Sequence, residues 1–197
     1  MRRTVFDVLT SAVGLVLVVV LLVAGGLLMW GYSYDHNNVH NQLAEQQISF
    51  PPKAAFEHPV PGSEITAAMI PSVSQYAGQQ LLTGPQAEAY ADHFIAIHLS
   101  EMPYGGVYSK ISTAARAEPK NTKLTELETT SFQGTTLRGL LLEAYAFSEM
   151  GLIMLWAAIA AFALALIMSV LVGVGLWHGS RTAEETELMG RPAVTTA

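Results

Sequence analysis

Histidines carry most of the chemistry this sequence could perform. His36 and His40 stand four residues apart in a stretch of helical spacing, residues 35–48, and that interval can present two imidazoles to one metal ion. On a second expected helix, residues 85–102, His98 falls on the apolar arc with Tyr90, Ala91, Phe94, Ile95, Ile97 and Met102. Glu101 lies one turn away on the same side. A zinc or copper site built from His36, His40 and His98, with Glu101 or Asp35 as a further ligand, is one reading of these positions. The other is a buried His98 satisfied by a hydrogen bond, since nothing in the spacing brings the two helices together. His93 on the polar arc and His58 in a Pro-rich connection read as solvated.

Other reactive groupings are missing. Glu126 and Glu128 are two apart and so point to different helix faces, while Glu143 and Glu149 fall where the chain approaches its second apolar stretch. General acid–base chemistry needs positioned partners, and these positions supply none. No G-x-S-x-G, S-x-x-K, H-E-x-x-H or P-loop occurs, and no cofactor is implied. Tyr104-Gly105-Gly106 reads as a turn. With no cysteine in 197 residues, disulfides, thiolate metal sites and cysteine nucleophiles are excluded. A net charge of −6 disfavours nucleic acid as a partner.

The elements that must position these groups begin with two uncharged apolar stretches, residues 8–30 and 150–177. A helix of about 20 apolar residues crosses a hydrocarbon core, and both stretches exceed that length. Arg2 and Arg3 precede the first, whereas Arg181 and Arg191 follow the second; short basic flanks stay cytoplasmic while long loops translocate. Both termini are therefore expected inside, with residues 31–149 outside. That segment holds six basic side chains (Lys53, Lys110, Arg116, Lys120, Lys123, Arg138) against twelve acidic ones. A cleaved signal peptide competes for the first stretch, but its apolar run is longer than the 7–15 residues of a signal core. Trp30, Tyr32 and Tyr34 then follow like an interfacial aromatic belt. Neither stretch contains an ionisable residue, which argues against ion or proton transport by this chain alone. In the second, Ala157, Ala161, Ala165, Ser169 and Gly173 recur every fourth position, a stripe along which another helix can approach closely. Its partner would be the first stretch, a second copy or another membrane protein.

Between the stretches the spacing is helical throughout. The helix over residues 35–48 is expected to end before Pro51-Pro52, and short helices are expected around 64–70 and 73–82. Thr83 and Pro85 suit the start of the 85–102 helix, and Pro103 with Gly105-Gly106 its end. Further helices are expected over 107–117 and over 121–132, the latter capped by Asn121. From Thr136 a single helix runs without a breaker to Trp177, about 63 Å at 1.5 Å per residue. The tail after Gly179 is polar and small, as disordered segments are.

The runs VHNQLAEQQISFPP, QYAGQQ, AYADHFIAIHL and LRGLLLEAYAF, the last leading into an Ala-rich stretch, resemble two-span membrane proteins of high-GC Gram-positive (actinobacterial) bacteria. That resemblance implies the two-span layout and a plasma-membrane location, and it transfers no activity and no functional residue. The sequence thus predicts an all-α membrane protein: a cytoplasmic 1–7, a transmembrane helix 8–30, an extracytoplasmic helical domain 31–149, a transmembrane helix 150–177 and a cytoplasmic tail 178–197. The expected role is a non-catalytic membrane-anchored accessory, scaffold or assembly protein of an envelope or respiratory membrane complex. It would contact the lipid bilayer and another membrane protein or a second copy. The alternative is a membrane-tethered metal-binding or metalloenzyme domain using His36, His40 and His98. A tail of about 20 residues is too short to hold a folded signalling domain, which weakens a sensor role.

Overall fold

The computed structural model describes residues 3–59 and 65–181. The described residues are all-α apart from one isolated antiparallel bridge, Ser49 with Gln80. The elements are α1 (Arg3–Glu45), α2 (Lys53–Glu57), α3 (Ile70–Val73) with a 3₁₀ turn (Ser74–Tyr76), and α4 (Gly84–Tyr90). A π-helical turn (Ala91–Ile95) joins α4 to α5 (Ala96–Glu101), after which come a 3₁₀ turn (Pro103–Gly106), α6 (Tyr108–Ala117) and α7 (Thr122–Arg181). By contact the chain divides into two compact units: residues up to Tyr32 together with those from Ile153 onward, and Ser33–Leu152. Both α1 and α7 contribute to each unit. These two helices are long and apolar enough to cross a membrane by length and composition.

In the first unit α1 and α7 run antiparallel, and their contacts are set by small residues. A methyl group added at Gly14 would lie 2.5 Å from Val172 Cγ2, at Gly25 2.9 Å from the Phe162 ring, at Gly31 2.9 Å from Met154 Sδ, and at Gly175 3.2 Å from Ser11 Oγ. Each step forward on α1 meets a step back on α7. The buried or half-buried line on α7 is Met154, Ala158, Ala161, Ala165, Met168, Val172 and Gly175, alternating steps of three and four; on α1 it is Ser11, Gly14, Val18, Leu21, Gly25 and Leu28. This is the seven-residue repeat of a left-handed helix pair.

The expected stripe departs from that line. Ala161 and Ala165 are buried and Ala157 is half-buried, but Ser169 and Gly173 are exposed, with nothing within 4 Å of a methyl at Gly173. At 100° per residue a step of four gains about 40°, so the four steps from Ala157 to Gly173 swing off any fixed face, whereas a seven-residue repeat drifts only about 20°. Ala158, which the stripe omits, has 0% exposure.

The second unit has a core of Val39 and Leu43 from α1, Phe50, Phe56, Ile65, Met69, Val73 and Leu81 from the connecting segments, Ala87, Ala91, Phe94 and Ile95, and Leu141 from α7. The helix over 35–48 ends earlier than expected, at Glu45, where Gln47 turns left-handed (φ 54°) and frees the chain for the bridge at Ser49. Phe50 N–H donates to the Gln79 carbonyl and Leu81 N–H to that of Ile48, both at 2.9 Å. Of the expected 73–82 helix the helical part ends at Tyr76: Ala77 and Gly78, the latter at φ +71°, form a turn, and residues 79–82 are non-helical and carry the bridge. Of the expected 64–70 helix, Glu64 lies outside the described residues and the helical turn starts at Ile70, with Pro71 in its first turn.

Thr83 caps α4 through a capping box: its hydroxyl accepts from Gln86 N–H, and Gln86 Oε1 accepts from Thr83 N–H at 3.1 Å and Leu82 N–H at 2.8 Å. Instead of separate helices at 121–132 and from 136, α7 runs unbroken through Gly134. That glycine makes room rather than a break, since a methyl there would lie 2.9 Å from Leu99 Cδ2. Asn121 Oδ1 accepts from Leu124 N–H at 3.4 Å at the start of α7. Helix α7 extends two residues past Gly179, and the rest of the expected tail lies outside the described residues.

Candidate functional site: an acidic apolar cleft on the second unit

The histidines occupy three different settings. His36 and His40 are both exposed on α1, one step around from the buried Val39 and Leu43. His98, expected to be buried, is half-buried on α5. Its ring meets Phe94 edge-on with centroids 4.6 Å apart, and Nδ1 lies 2.9 Å from the Phe94 carbonyl oxygen. A partner one turn back satisfies the ring locally. Glu101 is exposed. Among the described residues no group of three or more His, Asp or Glu side chains is placed to hold a metal ion, so His36, His40, His98 and Glu101 are not assembled into one set. The Phe94–His98 contact ends an aromatic chain that runs from Tyr76 through Phe50, Tyr90 and Phe94, with centroids 4.7 to 5.4 Å apart.

A concavity of the second unit lies elsewhere, between the outer parts of α1 and α7. It has a volume of about 440 Å³, within the usual range of small-ligand sites. Its floor is apolar, with Val39, Leu43 and Leu141 from 2% to 8% exposed. Leu137, Leu140 and Phe147 line the α7 wall. Asn38, Gln42 and Gln46 line the α1 wall, where Gln42 Nε2 donates to Asn38 Oδ1 at 3.2 Å. The charged lining residues are Asp35 and Glu143, both acids.

Asp35 is the unusual member. It is half-buried, and its Oδ2 is out of water, packed against Gly151. Gly151 makes this possible, because a methyl there would fall 2.7 Å from that oxygen. Asp35 lies five residues beyond the apolar stretch 8–30. Burial holds its carboxyl above the ordinary 3.8, partly offset by the Gly151 backbone and by His36. Nearby the field is also negative: Glu149 and Glu88 push the Tyr145 phenol above its usual range.

A second, shallower concavity lies between Leu99, the Gly105-Gly106 turn and Thr135. It borders Arg138, which is already engaged by Asp92 at 2.6 Å. The turn itself is strained: Tyr104, Gly105 and Gly106 have φ of 61°, 66° and 66°, and Ser131, fully buried on α7, donates to the Gly106 carbonyl at 2.7 Å.

The chain matches no protein-family model, no curated protein and no solved structure.

Neither the acidic cleft nor the seven-residue line was singled out from sequence, although both leave marks there. Small residues at Ser11, Gly14, Gly25, Gly151, Ala158, Ala165 and Gly175 stand at sums of three and four, and Asp35 is the first acid after the first apolar stretch.

Proposed function

We propose that this chain is a non-catalytic accessory or assembly protein of a membrane complex, anchored by two spans in the plasma membrane. In this reading residues 8–30 and 150–177 cross the bilayer, both termini are cytoplasmic, and the helical domain 31–149 stands outside. One observation carries it: the paired apolar parts of α1 and α7 bury their small side chains against each other and turn large ones outward. Leu27 is 63% exposed, Ile153 68% and Leu166 68%. A contiguous apolar exterior of that kind needs lipid or another membrane protein to cover it. The excess of twelve acids over six bases between the spans and the basic ends at Arg2, Arg3, Arg181 and Arg191 support the orientation.

The absence of cysteine makes a direct test clean. Single cysteines replacing Lys53 or Lys120 should react with an impermeant maleimide in intact cells, and one replacing Thr195 should react only after lysis. The reverse pattern overturns the orientation. A photo-reactive residue at exposed Ile153 or Leu166 should crosslink one membrane protein, or a second copy, in intact cells. Adducts to lipid alone would remove the accessory role.

A further inference from the structure

The geometry points to the cleft between α1 and α7 of the second unit as a binding site for a cationic amphiphile: a small molecule with an ammonium head at Asp35 and an apolar body along Leu43 and Leu141. Two observations converge on that class. The first is shape and polarity, since about 440 Å³ of space has a floor of nearly fully buried Val39, Leu43 and Leu141. Open apolar space of this size is stabilised by an apolar body that displaces water from it.

The second is charge. Asp35 and Glu143 line the cleft with no basic residue among the lining side chains, so an anion would meet two like charges and a cation two opposite ones. Desolvation also raises the Asp35 carboxyl above its ordinary value, the shift that an ammonium head would reverse. Phe147 and Tyr34, which also line the cleft, present aromatic rings that favour an organic cation over a hydrated metal ion.

The site stands apart from the accessory role. If the cysteine and crosslinking experiments fail while the cation still binds, the site survives; if they succeed and the cation does not bind, the accessory reading survives. The probe is octyltrimethylammonium, with octanesulfonate as its anionic counterpart of equal chain length. Equilibrium dialysis of each against the full chain in nanodiscs, with empty nanodiscs as reference, measures protein-dependent binding. Binding of the cation should be at least about ten-fold tighter than that of the sulfonate, because the head is paired in one case and repelled in the other. Asp35→Asn should lose about ten-fold in cation affinity while leaving the apolar body's space unchanged. Ala144→Leu, which fills the cleft from α7, should abolish binding of the cation. Near-UV circular dichroism of each variant establishes that the core is intact. Equal binding of both probes makes the cleft a general acyl-chain groove and overturns the proposal. So does binding no greater than to empty nanodiscs, or cation binding indifferent to Asp35→Asn in a folded variant.

Discussion

Asp35 and Gly106 show how much single positions hold in tension. Burial raises the Asp35 carboxyl above its ordinary 3.8, so folding disfavours its charged form. That preference costs nothing below the unfolded value of 3.8 and grows into a penalty as pH rises through the folded value. Asp35→Asn should therefore raise the melting temperature at pH 7, and the gain should vanish below about pH 4. A gain independent of pH would place its origin elsewhere. Gly106 and Gly105 share a left-handed φ of 66°, yet a methyl at Gly106 would run into the Leu99 carbonyl while nothing lies within 4 Å at Gly105. Gly105→Ala should cost about 1 kcal/mol and Gly106→Ala well over 2 kcal/mol. Thermal unfolding of the pair separates backbone strain from collision. Sequence alone marked Tyr104-Gly105-Gly106 as a turn because glycine punctuates helices, but not which glycine carries the close approach. That depends on Leu99, whose position is a tertiary fact.

At the scale of elements, helix presence was legible and helix limits were less so. Thr83 and Gln86 announce the start of α4 in local chemistry, and the capping box forms as such residues allow. Gly134, by contrast, looks like a breaker and is instead a gap for Leu99 inside an unbroken α7. The stripe in the second apolar stretch shares Ala161 and Ala165 with the buried line but drifts off it at Ser169 and Gly173, because a helix pair repeats every seven residues and not every four. Replacing Ala158 and Ala165 together with Leu should part α1 from α7, whereas Leu at Ser169 and Gly173 should not. A disulfide formed between cysteines placed at Ser11 and Gly175 measures the difference: its yield should collapse with the first pair and hold with the second. The histidines were legible as residues but not as a site, since spacing within one helix carries no information about which helix packs beside it.

On the scale of the whole chain, the two units differ in what stabilises them. The second has an apolar core drawn from Val39 to Leu141 within its own limits. The first relies on close backbone approach and exposes its large side chains. Trp30, Trp156 and Trp177, the three tryptophans of the sequence, all belong to the first unit, while Tyr76 and Tyr90 sit in the aromatic chain of the second. Tryptophan fluorescence consequently reports on the first unit, whereas six of the seven tyrosines, all but Tyr32, report on the second. Heating the protein in detergent should give two transitions, the tyrosine signal lost first. Coincident melting by both probes would mean a single cooperative unit.

The glycines of α1 carry one more implication, for how this sequence can drift over generations. Gly25 faces the Phe162 ring at 2.9 Å, but its neighbour Gly26 meets nothing within 4 Å. Two adjacent glycines are thus expected to differ sharply in tolerance, Gly25 resisting a larger side chain and Gly26 accepting an apolar one. A saturation library of positions 8–30 should show this as a rhythm, with intolerant sites recurring at alternate intervals of three and four from Ser11 to Leu28. Such a rhythm would let the register of the two helices be read from survival counts alone.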